Sequence, residues 1–138
     1  GIFGSRRTGV QVMIEPDSEE MHQQTALKKR LLRFFPFHFC RRAQTTDTKS
    51  ILQNQILISD RSPFRVSRKH CIIDTVGDSV FIEDKTSQLG TVVNGIPIGG
   101  NSQETRVKLI HGSNTLVLGG QDSHVRFRLD VSVPDQAV

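Results

Sequence analysis

The sequence predicts an all-β chain, folded as a β-sandwich of two antiparallel twisted sheets with about ten or eleven short strands and at most one short helix. Three observations carry this prediction. Short apolar or alternating runs recur along the chain, separated by turn residues at roughly eight- to twelve-residue intervals. Two of the breaks, Gly77-Asp78 and Asn94-Gly95, are hairpin dipeptides between apolar runs, and Asn-Gly suits a type I′ turn because both residues accept positive φ. Beyond residues 18–30, no stretch reads as a helix.

Taken in order, residues 1–9 read as a flexible tail or linker stub, 10–133 as the domain and 134–138 as a tail. Val10–Ile14 alternates as a strand and Glu15-Pro16-Asp17 closes it. Residues 18–30 fit a short helix, with Ser18 as cap and Met21, Leu27 and Leu31 near helical spacing, or equally a long polar loop. Leu31–Phe35 is a strand candidate interrupted by Pro36. Phe37–Arg41 alternates cleanly, with Phe37 and Phe39 on one face. Arg42–Asn54 is polar and reads as loop, and Ile56–Ile58 as a strand. Cys71–Thr75 and Val80–Asp84 flank the first hairpin turn; Thr91–Val93 and Ile96–Ile98 flank the second. Arg106–Ile110, Thr115–Leu118 and Val125–Val131 complete the set, with His111–Asn114 as a turn.

Composition narrows the function classes. A chain of 138 residues supports one domain with a single core. No apolar run approaches the roughly 20 residues of a membrane helix. Net charge is +4, which favours acidic partners without arguing for nucleic acid. Four of the eight phenylalanines crowd at 34, 35, 37 and 39, as core rather than as a stacking platform for bases. Cys40 and Cys71 lack metal or C-x-x-C spacing, so the expectation is two small buried thiols in a reducing compartment. His22, His38, His111 and His124 are scattered on separate elements. No nucleophile–base pair, Walker loop or dinucleotide fingerprint appears, so neither an enzyme nor a cofactor is expected.

The chemistry concentrates at Asp60–Asp74. Val66-Ser67-Arg68-Lys69-His70 sets a hydroxyl, two cations and an imidazole at the mouth of the Cys71 strand. Donors and positive charge on a loop above a sheet suit an anion, and the expected ligand is a phosphate group. The plainer readings are a turn hydroxyl at Ser67 and a solvated charge pair at Arg68 and Lys69.

These features resemble the forkhead-associated (FHA) domain, an FHA/SMAD-like β-sandwich that binds phosphothreonine peptides. Phe35–Arg41 looks like that family's strand ending in Gly-Arg, and Val66–His70 matches its Ser-Arg-x-His motif. Asp84–Gly95 resembles its Asp-x-x-Ser-x-Asn-Gly-Thr-x-Val-Asn-Gly segment, and His111–Gly119 and Val125–Leu129 resemble its closing hairpin. The resemblance implies a phosphorylation-dependent protein-interaction module, cytoplasmic, and part of a larger intracellular protein. Arg41 would reach the phosphate, Ser67 would donate its hydroxyl to it, and Arg68 would lie beside the peptide. His70 would be structural, Gly90 would permit a tight turn, and Thr91 would belong to the same frame.

Three positions depart from the family pattern. Cys40 replaces the glycine before Arg41, removing freedom for positive φ. Gln88 replaces Ser or Thr. Leu89 replaces the asparagine that would bond the peptide backbone, a loss of about 0.5–1.5 kcal/mol, up to roughly tenfold in affinity. Arg41, Ser67, Arg68, Gln88 and Leu89 are therefore the expected phosphopeptide-binding residues. The competing expectation is a phosphate-independent FHA scaffold for protein or self-association, motivated by Leu89. A third class, nucleic acid on Arg6, Arg7, Lys28, Lys29, Arg30 and Arg33, is weaker than a solvated basic face.

Overall fold

Alternation of apolar and polar residues sets most of the strands. A computed structural model of the chain describes residues 9–24, 28–42, 51–52 and 54–134. Among these, in chain order, are β1 (Gln11–Pro16), α1 (Glu19–His22), β2 (Arg30–Leu32), β3 (Phe37–Arg41), β4 (Ile51–Leu52), β5 (Gln55–Ile58), β6 (Cys71–Val76), β7 (Ser79–Asp84), β8 (Thr91–Val93), β9 (Ile96–Ile98), β10 (Arg106–Lys108), β11 (Gly112–Leu118) and β12 (Arg126–Ser132). They form two six-stranded sheets, ordered β2-β1-β12-β11-β8-β9 and β10-β7-β6-β3-β5-β4. Tails were expected at 1–9 and 134–138; residues 1–8 and 135–138 lie outside the described residues, as do 43–50 of the expected loop.

The inner faces share one apolar core. Val12 and Ile14 of β1, Phe37 and Phe39 of β3, Ile56 and Ile58 of β5, Ile73 of β6, Leu116 and Leu118 of β11, and Phe127, Leu129 and Val131 of β12 are all buried in it. Phe39 bridges the two sheets, its ring centroid 5.6 Å from Phe37 and 5.4 Å from Phe127. Both spacings suit aromatic pairs that meet edge-on or tilted. Among the described residues no helix is long and apolar enough to cross a membrane.

Several elements differ from the sequence expectation. The second sheet is not wholly antiparallel, because β3 and β5 pair in parallel from His38↔Gln55 to Arg41↔Ile58. The cause is β4, in a segment expected to be loop. It forms an antiparallel hairpin with β5 and occupies the sheet edge, so the second arm of the hairpin lies along β3. Two apolar residues after a polar run are too few for periodicity to reveal. β1 runs on through Pro16, opposite Phe127. β2 reaches only as far as Ile14, so the missing N–H of Pro16 interrupts no ladder on that side.

The helix is a single turn. Ser18 Oγ accepts from Met21 N at 3.3 Å, Met21 is fully buried, and β2 begins by Arg30. Residues 25–27 of that segment lie outside the described residues. β2 stops at Leu32, before half-exposed Phe34. Gly112–Asn114 belongs to β11 rather than to a turn, because buried Asn114 stands in for a backbone partner. Its amide donates to Ile110 O at 2.9 Å, and its carbonyl accepts from Ile110 N at 2.9 Å. Asn94 (φ 51°) and Gly95 (φ 81°) form the left-handed pair that the sequence required.

Phe127→Ala removes the ring that ties β12 to Phe39. It is expected to destabilise the domain by about 3–5 kcal/mol, read as a shift of the urea midpoint at unchanged slope. A loss under about 1 kcal/mol contradicts the packing described.

Candidate functional site

The loop between β5 and β6 is shaped by an inward-turned carboxylate. Asp60 Oδ2 accepts from Arg65 N at 2.7 Å and Val66 N at 2.9 Å, and Oδ1 accepts from Arg61 N at 2.9 Å. Backbone donors in a loop need such partners when no ladder supplies them. Arg65 fastens the loop sideways, donating to Asp122 Oδ1 at 2.9 Å and to Gly119 O at 3.2 Å. A Cβ on Gly119 would lie 2.4 Å from Arg65 O, and φ there is +97°, so the contact requires glycine. Val66 is buried and anchors the loop to the core.

This loop meets the end of β3 at Arg41. Arg41 N donates to Ser67 O at 3.2 Å, so the backbone of β3 continues to pair with the loop beyond its ladder with β6. The Arg41 guanidinium donates from Nη1 to Val66 O at 3.1 Å and lies 3.8 Å from the centroid of the Phe64 ring. One of its five N–H donors is thereby used, and stacking uses the flat face rather than the donors. Cys40 sits within β3, paired opposite Leu57, and is not among the positive-φ residues. The strand is extended at this point, so the positive φ that glycine would allow is not used.

His70 joins the loop to its neighbour. Ser67 N donates to His70 Nδ1 at 3.0 Å, and His70 Nε2 lies 2.9 Å from Gly90 O. With Nδ1 accepting, the proton sits on Nε2 and donates to Gly90, which makes the ring neutral. Burial pushes the His70 pKa below its usual value, against the smaller opposing effects of Gly90 O and of the Asp84 and Asp60 carboxylates. Gly90 has φ +85°, and its carbonyl also accepts from Gly119 N at 2.9 Å.

The loop at 85–90 is held from beneath by buried Asp84. Its carboxylate accepts from Ser87 N at 2.8 Å, from Ser87 Oγ and from Thr91 Oγ1 at 2.7 Å. Ser87 Oγ in turn accepts from Gly90 N at 3.0 Å. Gln88 N then donates to Ser67 Oγ at 3.0 Å, which closes the gap between the two loops. Arg68, Lys69, Gln88 and Leu89 are exposed, Leu89 by 48%.

Residues 47–119, more than half of the 138, match the sequence profile of the FHA domain. The chain belongs to the FHA-domain family. An FHA domain is a protein-interaction module, not an enzyme. No curated protein sequence matches the chain. Among solved structures, the fold is similar to the FHA domain of the CT664 protein from Chlamydia trachomatis, at 21% identity and TM-score 0.58, over 87% of this chain and 96% of that one. It is also similar to the N-terminal FHA domain of S. cerevisiae Rad53p, solved with a phosphothreonine peptide, at 17% identity and TM-score 0.56, over 91% and 94% of the two chains. The yeast Pml1 splicing factor shares the fold at 19% identity and TM-score 0.56, over 89% and 78%.

The FHA fold of this chain brings Arg41, Ser67, His70, Gln88 and Gly90 into one connected set, with Arg68 and Leu89 exposed on the same loops. Thr91 lies beneath, bound to Asp84. Of the basic run, Arg6 and Arg7 lie outside the described residues, and Arg30 opens β2 in the other sheet. Both cysteines are free thiols, Cys71 buried and Cys40 half-buried, and burial raises the pKa of each. Sequence reasoning missed the roles of Asp60 and Phe64, and it met Ser87 only as a motif position without a role. The Asp84-x-x-Ser87 spacing signalled the bond between them, since Asp commonly bonds backbone and hydroxyl groups a few residues on.

Because the folded His70 pKa is depressed, its contribution to stability is present above the unfolded value of 6.5 and lost as pH falls through the lower folded value. Imidazole NMR titration of His70 is expected to give a midpoint below 6.5, with unfolding stability declining over the same window. A midpoint above 6.5 contradicts the neutral bridge.

Proposed function

We propose that this FHA domain, spanning residues 10–133, binds a phosphothreonine-containing segment of a partner protein or of its own parent chain. In this reading Arg41 and Ser67 hold the phosphate, Arg68 lies beside the peptide and adds positive charge, and Gln88 and Leu89 face the peptide. The observation that carries the proposal is the state of the Ser67 hydroxyl. Its oxygen accepts from Gln88 N, and its proton has no acceptor among the described residues, so it remains available to donate. Arg41, whose backbone N–H pairs with Ser67 O, keeps four guanidinium N–H donors, and neither Arg68 nor Lys69 has a carboxylate partner among the described residues. A hydroxyl proton and unpaired cations on fixed loops suit a dianionic phosphate. The phosphothreonine peptide bound by the Rad53p domain supports the same ligand class.

Leu89 favours a second reading. An exposed apolar side chain at the position of the peptide-bonding asparagine suits a phosphate-independent protein contact.

A fluorescent peptide pool with central phosphothreonine and randomised flanks tests the first reading against its unphosphorylated twin. Selective binding is expected, weakening as salt rises. Arg41→Ala is expected to cost about 10- to 100-fold, and Ser67→Ala about two- to tenfold. Equal binding of both pools contradicts the proposal. Leu89→Asn separates the readings: tighter phosphopeptide binding by about two- to tenfold supports the first, and a loosened protein contact supports the second.

A further inference from the structure

Phe64 stands apart from the other phenylalanines of the site region. Phe37 and Phe39 are core residues, whereas Phe64 lies 44% exposed on the loop between β5 and β6 and belongs to no buried cluster. Its ring is instead the platform beneath the Arg41 guanidinium, 3.8 Å from centroid to Cζ. Resting on the phosphopeptide reading above, we infer that Phe64 is a positioning residue for phosphate recognition and acts through Arg41.

Binding phosphate requires free donors that are already ordered. An arginine side chain on a surface samples many rotamers, and ordering it at the moment of binding weakens the complex. Tying it down with hydrogen bonds would spend the donors that the phosphate needs. Stacking restrains the guanidinium plane through its face and leaves the in-plane donors free. The single bond from Nη1 to Val66 O then fixes rotation within that plane. The platform is itself held by the residues that follow it. Asp60 accepts from the backbone of Arg65 and Val66, immediately after Phe64, and Arg65 is anchored to Asp122 and Gly119. Phe64 therefore occupies a fixed segment of an exposed loop and supports a cation. That explains a large apolar side chain where burial does not.

The test uses the same phosphothreonine pool with Phe64→Leu, Phe64→Trp, Arg41→Ala and the double variant Arg41→Ala/Phe64→Leu. Phe64→Leu keeps an apolar side chain but removes the π face. It is expected to weaken binding about three- to tenfold with the melting temperature unchanged, and Phe64→Trp to restore it. In the Arg41→Ala background, Phe64→Leu is expected to add no further loss. Undiminished binding by Phe64→Leu, while Arg41→Ala still loses affinity, overturns the inference and leaves the phosphopeptide reading standing. An equal loss from Phe64→Leu with and without Arg41 also overturns it, because the ring then acts independently of the guanidinium. Full binding by Arg41→Ala removes both the inference and the reading beneath it.

Discussion

A neutral imidazole buried between two loops is the contact on which the rest of the site depends. His70 accepts from Ser67 N on one side and donates to Gly90 O on the other. Its own backbone is bonded as well, N–H to Phe39 O and carbonyl to Lys85 N, each at 2.9 Å. One residue thus locks β3, the loop carrying Ser67 and the loop carrying Gln88 into one frame. A rigid ring with one donor and one acceptor does this at fixed geometry, which a flexible amide side chain does only at an entropic cost.

Around that bridge, charge is sorted by direction. Asp60 and Asp84 turn their carboxylates inward and satisfy loop N–H and hydroxyl groups. Arg68 and Lys69 stand outside in solvent, and Arg41 lies half-buried on Phe64. Negative charge is consumed in building the loops, and the cations of Arg68 and Lys69 are left exposed. Among the described residues, the Ser67 hydroxyl proton, four Arg41 N–H donors and the Arg68 and Lys69 cations lack an acceptor or carboxylate partner, a set that suits an oxyanion. The rigidity of the loops matters as much as their charge, because preorganised donors need not be ordered when the ligand arrives.

Much of this was legible in the sequence, for identifiable reasons. Strict alternation in Phe37–Arg41 and the dipeptides Gly77-Asp78 and Asn94-Gly95 are local signals, and the strands and turns they predict are present. Ser67 and His70 were legible because their chemistry falls within one short stretch of chain. The parallel β3–β5 pairing was not, since it depends on the two-residue strand β4, which is too short to show a period. Phe64 and Asp60 were hidden differently. Their partners, Arg41 and the backbone of residues 65–66, are chosen by the path of a loop, and no residue spacing encodes that path. Cys40 shows the converse, a departure that looked costly for its loss of positive φ and stands in an extended strand that does not require it.

The central claim is that the Arg41 guanidinium and the Ser67 hydroxyl converge on one phosphate. The most direct measurement is a crystal structure of the domain with a bound phosphothreonine peptide. Phosphate oxygens are expected within hydrogen-bonding distance, about 2.6–3.2 Å, of both Arg41 and Ser67 Oγ, with the His70 bridge unchanged. A phosphate seated elsewhere, or one that touches these loops without contacting either residue, would contradict it.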